Sequence, residues 1–136
     1  MTRITKATDL EATREKLTEL LDEHAARKGH RFELEELCLN AHDGEEFLGG
    51  ISAKLGTEWV YVDLLALSEA ARGKGIGGQL ITELEEIARA KGKRGIFLDT
   101  YSFQAPDFYR KMGFTEVGHI DDYPQGEARY FFAKRL

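Results

Sequence analysis

The sequence is poor in the features that define several protein classes. It has one cysteine, Cys38, in 136 residues, which excludes an internal disulfide and favours a reducing compartment. It has no apolar run long enough to span a bilayer, and its polar, charged beginning shows no signal-peptide pattern. We therefore expect a cytoplasmic protein with no membrane contact. The formal net charge of −5 argues against nonspecific nucleic-acid binding, which needs a basic surface.

Metal-ligating residues are also sparse. The four histidines are scattered without metal-ligand spacing, so we expect no metal site. Cys38 lies within a predicted strand and has no partner motif, and we interpret it as a small buried hydrophobe. The length suffices for one domain with its own core, and we expect a single domain over residues 1–136.

Hydrophobic spacing predicts the order helix, three strands, helix, strand, helix and two strands. Thr8-x-x-Glu11 has the form of a capping box before the first helix. Phe32 and Leu34 are expected to open the first strand, with a bulge near Glu35-Glu36, and Asp43-Gly44 predicts a hairpin. The main predicted ranges are 9–28, 47–55, 58–67, 76–88 with Gly92 as the helix cap, 95–100, 103–112, 115–121 and 128–135.

Glycines and cations are concentrated at the start of the second predicted helix. The segment reads Arg72-Gly73-Lys74-Gly75-Ile76-Gly77-Gly78 and follows an apolar strand that ends at Leu67. Glycine allows a ligand to approach the backbone closely, and the free N–H groups at a helix start attract anions. The segment therefore predicts a turn that holds a phosphate.

This turn has other interpretations. Residues 73–78 also satisfy the dinucleotide fingerprint G-x-G-x-x-G, and Asp99 would supply the acidic residue after the next strand. That fingerprint normally opens its domain, whereas a long hairpin region precedes it here. A solvent-facing helix start without a ligand is the second alternative. A Walker A loop is excluded because no Gly-Lys-Ser/Thr occurs.

Two motifs together resemble the GNAT superfamily of acetyl-CoA-dependent N-acetyltransferases. Arg72–Gly77 matches that family's Arg/Gln-x-x-Gly-x-Gly/Ala signature, and Ala105–Phe114 is similar to its A-x-x-F-Y-x-K-x-G-F segment. The resemblance is good from Glu58 onward and rests on element order alone before it. It implies an α/β (α+β) fold: a single domain with a mixed, mostly antiparallel sheet flanked by helices.

The resemblance implies that acetyl-CoA is the cosubstrate. Its pyrophosphate would lie on the backbone of residues 72–77, where a large side chain at Gly75 or Gly77 would block it. Its pantetheine arm would pair with Leu65 and Leu67, and the Leu67 N–H would polarise the thioester carbonyl. The family often has Asn where this chain has Ser102, which makes Ser102 a shorter-reaching candidate for a pantetheine contact.

The resemblance also implies two catalytic residues. Asp63 stands where the family often places a Glu that deprotonates the amine, and Tyr109 matches the Tyr that protonates the departing thiolate. The alternatives are an Asp63 that fixes neighbouring backbone, with water acting as the base, and a Tyr109 that packs beside Phe108.

The implied reaction moves an acetyl group to a primary amine of a small molecule or peptide. The alternative is a noncatalytic acyl-CoA-binding sensor module, which would not need Asp63 or Tyr109. Trp59 and Tyr61 share the Asp63 face if that strand is regular, and they would line the acceptor site or join the core. A homodimer would be common for this family. Acidic residues that would surround a cationic amine, or form solvated strand edges, are Glu33, Glu35, Glu36, Asp121 and Asp122.

Overall fold

The computed structural model describes residues 1–136, which divide into the units Met1–Phe32 and Glu33–Leu136. The first unit contains helix α1 (Leu10–Arg27), which confirms the predicted helix. The predicted Thr8 cap is wrong by one residue, because the side chain of Asp9 accepts the Ala12 N–H at 3.0 Å. None of the helices combines the length and the apolar character needed to cross a membrane.

The second unit contains one six-stranded sheet, two α-helices and a 3-10 turn over Glu69–Ala71. The strands lie in the order β1-β2-β3-β4-β6-β5, and every neighbouring pair is antiparallel except β3 with β4. This confirms both the predicted element order and the mixed, mostly antiparallel sheet. The bounds are β1 Glu35–Asp43, β2 Glu46–Leu55, β3 Trp59–Leu67, α2 Ile76–Ala90, β4 Gly95–Tyr101, α3 Pro106–Lys111, β5 Thr115–Asp121 and β6 Ala128–Arg135.

The first strand begins later than expected. Phe32 and Leu34 precede β1 and are exposed. Because Phe32 and Leu34 are outside the strand, their spacing to Leu37 does not have to follow the alternation of a strand. The bulge predicted near Glu35-Glu36 is therefore wrong. The irregularity between β1 and β2 lies instead beside Ala41, at the other end of the strand.

Cys38 is exposed, so its interpretation as a buried hydrophobe is wrong. Alternate residues of a strand point to opposite faces of a sheet. Leu37 and Leu39 pack against the core, and the intervening Cys38 consequently faces away from it.

The core lies between one face of the sheet and helix α2. The helix buries residues one turn apart, including Leu80, Leu84 and Ala88, against the strands, as the 3.6-residue period requires. The largest fully buried side chains are Phe132, Leu55, Ile81, Leu84, Ile96, Leu98 and Val60.

One buried ion pair connects both helices of this unit to strand β6. Glu85 of α2 is 5% exposed, and its carboxylate accepts a hydrogen bond from the Lys134 ammonium at 2.5 Å. The same ammonium donates to the Met112 carbonyl at 2.8 Å, just after α3 ends. Lys134 therefore connects the interior of α2 to the end of α3, and both helices carry predicted site residues.

Candidate active site

The sheet separates in the middle, between its two parallel strands. Strands β3 and β4 pair from Trp59 with Gly95 to Val62 with Leu98, and no pair follows. Both strands continue, to Leu67 and Tyr101 respectively. The side of β3 that faces β4 therefore has no strand partner from residue 63 onward. Unpaired strand edges accept an extended chain by backbone hydrogen bonding.

A bulge in β3 lies at the point of separation. Ala53 of β2 pairs with Val62 and Ser52 pairs with Leu64, so Asp63 is the extra residue. The bulge shifts the core-facing phase of β3 from Val60 and Val62 to Leu65 and Leu67. The two leucines predicted to contact pantetheine thus lie in the unpaired part of the strand.

The bulge residue carries an unpaired buried oxygen. Asp63 Oδ1 is buried and has no hydrogen-bond partner within the chain. Buried polar atoms in native proteins are nearly always hydrogen-bonded, so an exception calls for an explanation. A carboxylate oxygen free to accept a proton, at the mouth of an opening in the sheet, has the properties of a general base.

The glycine turn leads into α2 with its backbone donors free. Gly73 and Gly75 adopt the left-handed region, with φ of +76° and +77°, which L residues rarely enter. Gly75 is the helix N-cap, and no side chain caps the helix. The N–H groups of residues 76–78 therefore lack intrahelical partners, as at any helix start, and are available to an anion. Arg72 and Lys74 are exposed beside them.

Gly75 and Gly77 differ in their surroundings. A methyl group on Gly75 would meet no atom within 4 Å, which leaves its surface open to a ligand. Gly77 is buried, and a methyl group there would lie 3.3 Å from the Phe108 ring. At Gly77 the missing side chain thus allows α2 and α3 to pack closely, and the position is not open to a phosphate.

Tyr109 is buried in an aromatic cluster next to this contact. It is 8% exposed and packs edge-on against Phe108 and Phe114, with Phe132 tilted beside it. Burial raises the pKa of Tyr109 to about 12, and the negative charge of Asp99 adds to the increase. The hydroxyl therefore keeps its proton at neutral pH, as a general acid must.

The Ser102 hydroxyl is engaged within the protein. It donates to a carboxylate oxygen of Glu127 and accepts the Ala128 N–H at 3.0 Å. The Ser102 N–H also donates to the Ala128 carbonyl at 2.8 Å. These bonds fasten the end of β4 to the start of β6, and a pantetheine contact would compete with them.

A hydrogen-bonded group that the sequence analysis did not identify surrounds Asp99. Asp99 is the first residue of β4 past the last β3–β4 pair, the position that Asp63 holds on β3. The Tyr61 hydroxyl donates to Asp99 Oδ2 at 2.9 Å, and Arg129 donates to Oδ1 through Nε at 2.9 Å and Nη2 at 2.6 Å. Burial and the hydrogen bond to Asp99 raise the pKa of Tyr61.

The sequence offered little signal for this group. Tyr61 was expected only as a wall of the acceptor site or a core residue, and Asp99 only as part of a dinucleotide fingerprint. Tyr61 reaches Asp99 because β3 pairs with β4, and Arg129 reaches it because β4 pairs with β6. Non-consecutive pairing of this kind leaves no local pattern in the chain.

The predicted acidic surround of the acceptor does not form as one group. Glu35 and Glu36 lie on β1, one edge of the sheet, and Glu35 pairs with Lys91 at 3.1 Å. Asp121 and Asp122 lie at the end of β5, the opposite edge. Residues on opposite edges of a six-stranded sheet are too far apart to enclose one amine, because strands are spaced by about 4.8 Å.

Comparison with known proteins identifies the family. The model of the acetyltransferase (GNAT) family matches residues 2–114. A blasticidin-S acetyltransferase of Streptomyces morookaense is 38% identical over 92 residues, which cover 67% of this chain and 68% of that protein.

Solved structures agree with this match. An acetyltransferase from Bacillus cereus is 34% identical and has a TM-score of 0.89, covering 99% of this chain and 98% of that one. An aminoglycoside 6′-N-acetyltransferase complexed with coenzyme A is 21% identical, with a TM-score of 0.67 over 74% of this chain and 73% of its own, and shares the fold. The chain belongs to the acetyltransferase (GNAT) family.

Proposed function

We propose that the protein moves the acetyl group of acetyl-CoA to a primary amine of a small molecule or peptide by direct attack. The observation that carries this proposal is the unpaired Asp63 oxygen at the point where β3 and β4 separate. The free helix start at Gly75 and the unpaired edge of β3 fit two adjoining parts of an acyl-CoA, the pyrophosphate and the extended pantetheine arm.

The proposed chemistry uses one base and one acid. A lysine-like amine has a pKa of about 10.4, so at pH 7 removing its proton costs roughly 4–5 kcal/mol. Asp63 accepts that proton, directly or through water, and the nitrogen lone pair bonds to the thioester carbonyl carbon. The carbon–sulfur bond then breaks, the Tyr109 hydroxyl donates its proton to the sulfur, and the nitrogen loses its second proton through water, which restores the Tyr109 hydroxyl. The Leu67 N–H is the proposed donor to the carbonyl oxygen.

The acceptor class is supported by the relatives. The relative from Streptomyces is named for a small molecule, and the aminoglycoside 6′-N-acetyltransferase of the same fold is named for transfer to nitrogen. A noncatalytic acyl-CoA sensor would use the same loop and strand edge. It would have no use for an unpaired buried carboxylate oxygen, which is costly to keep. A homodimer and a cytoplasmic location remain predictions from the sequence.

Acetyl-CoA is expected to raise the thermal stability of the protein, whereas NAD is not. A ligand at a hundredfold excess over its Kd stabilises a protein by about 2.7 kcal/mol. Gly75→Ala should weaken the acetyl-CoA shift, because the added methyl group stands in the open space over the helix start. Thermal-shift titration with both ligands measures this.

The control for backbone strain is Gly92→Ala. Gly92 has φ of +72°, lies after the other end of α2, and has equally open surroundings. Both substitutions place an alanine in the left-handed backbone region, which costs about 1–2 kcal/mol of stability. Only Gly75→Ala should weaken the rise in melting temperature that acetyl-CoA causes. Stabilisation by NAD without stabilisation by acetyl-CoA would overturn the cosubstrate assignment.

Tyr109→Phe is expected to lower kcat about tenfold to a few hundredfold while acetyl-CoA affinity stays nearly unchanged. The hydroxyl acts only as the carbon–sulfur bond breaks, so kcat and kcat/KM fall together. The loss lies toward the low end of acid catalysis, since a thiol with a pKa near 8.5 is already a fair leaving group.

Tyr130→Phe is the matched control for this substitution, because Tyr130 is half-buried in β6 and has no proposed catalytic role. Thiol release and acetyl-CoA titration provide the two measurements. Full turnover by Tyr109→Phe would show that this residue serves packing alone.

A further inference from the structure

The two aspartates at the mouth of the strand gap differ in how their charges are balanced. Asp99 and Asp63 each stand one residue past the last β3–β4 pair. Asp99 is held on both oxygens, by Arg129 on one and by Tyr61 on the other. Asp63 has a buried oxygen with no partner. The charge of Asp99 is therefore neutralised within the protein, and that of Asp63 is left for a cation from outside.

The hydrogen bond to Asp99 also fixes what Tyr61 can offer a ligand. A phenol has one proton to donate and a lone pair to accept with. Because the Tyr61 proton is directed to Asp99, its oxygen is left as an acceptor. Tyr61 lies two residues before Asp63 on β3, and the Asp63 charge is among those that raise the pKa of Tyr61. Two acceptors, one charged and one neutral, are thus carried two residues apart on β3, where its pairing with β4 ends.

We infer that Tyr61, oriented by Asp99 and Arg129, binds the acceptor alongside Asp63 and selects protonated primary amines. The inference rests on the proposed function and names the group that the site recognises. An ammonium has three protons and can donate to Asp63 and to the Tyr61 oxygen together, whereas an alcohol has only one proton. Asp99 is then a positioning residue, which acts on the acceptor through Tyr61.

A simpler role for this group is to join strands, since the Asp99–Arg129 pair links β4 to β6. Such a role predicts a loss of stability and no change specific to the acceptor. Tyr61→Phe distinguishes the two, because it removes the hydroxyl and keeps the ring that packs at 5.0 Å from Phe97. It also keeps the Arg129 pair with Asp99 intact.

The experiment measures steady-state kinetics with blasticidin S, spermidine, kanamycin and a lysine-containing peptide as acceptors. Wild type is compared with Tyr61→Phe, Asp99→Asn, the double variant and the control Tyr130→Phe. For the best amine, Tyr61→Phe should raise KM about tenfold or more, as expected for a lost hydrogen bond to a charged group. The KM for acetyl-CoA should not change.

Coupling between the two residues tests the positioning role. If Asp99 acts through Tyr61, the double variant should raise the amine KM no more than Tyr61→Phe alone does. Additive effects, or an unchanged amine KM in Tyr61→Phe, would overturn the inference. So would acetyl transfer to water or an alcohol but to none of the amines. If acetyl-CoA did not raise the melting temperature of the wild-type protein, the proposed function itself would be refuted.

Discussion

Asp63→Asn should lower turnover about 10²- to 10⁴-fold at pH 7, the range expected for losing a general base, and much less at pH 9. The amide keeps the size of the side chain but cannot take a proton at neutral pH. Deprotonating an amine of pKa about 10.4 costs roughly 5 kcal/mol at pH 7 and roughly 2 kcal/mol at pH 9. The base therefore matters less as pH rises. Profiles of kcat/KM from pH 7 to pH 9 measure the effect.

The matched control for this substitution is Asp43→Asn at the exposed β1–β2 hairpin, which should leave the profile unchanged. Melting temperature verifies that Asp63→Asn is folded. A loss of the same size at every pH would assign Asp63 a positioning role. Retained activity at pH 7 would show that water or another group is the base.

Glu85→Leu should destabilise the protein by about 3–5 kcal/mol, because it leaves the Lys134 ammonium uncompensated in a site where Glu85 is 5% exposed. The melting temperature should fall by about 10–15 °C, given a few degrees per kcal/mol for a domain of this size. The exposed Glu86 on the same helix supplies the control, and Glu86→Leu should change the melting temperature little.

The double variant Glu85→Leu with Lys134→Met tests whether the instability comes from the unpaired Lys134 charge, because it removes both members of the ion pair. Replacing both members of a buried ion pair with apolar residues is often neutral or stabilising, so most of the stability should return. A double variant as unstable as Glu85→Leu alone would show that the cost comes from packing around Glu85.

Much of the fold follows from local pattern. The Asp43-Gly44 turn predicts the first hairpin, and the turn at residues 122–126 predicts a second, whose two strands have the bounds observed. Helix α2 follows from its apolar spacing. The order of the strands in the sheet does not follow, because the β4–β6 and β3–β4 contacts join segments far apart in the chain.

The bulge at Asp63 shows why part of the site could not be predicted. A one-residue slip is visible in a sequence when it disturbs the alternation of polar and apolar residues. Leu64 and Leu65 are both apolar, so either phase fits the strand. The glycine turn and Tyr109, by contrast, lie in motifs that can be matched residue by residue. The Tyr61–Asp99–Arg129 contact needed the folded sheet.

The short seam between β3 and β4 makes the sheet two antiparallel halves, β1-β2-β3 and β4-β6-β5, joined through four residue pairs. Such a sheet is held by the fewest residue pairs at its centre, where β3 and β4 separate. A molecule that lay between the separated strands and contacted both halves would add contacts where the two halves have the fewest. Its effect on the rigidity of the whole sheet would then exceed what its contacts with either half alone provide.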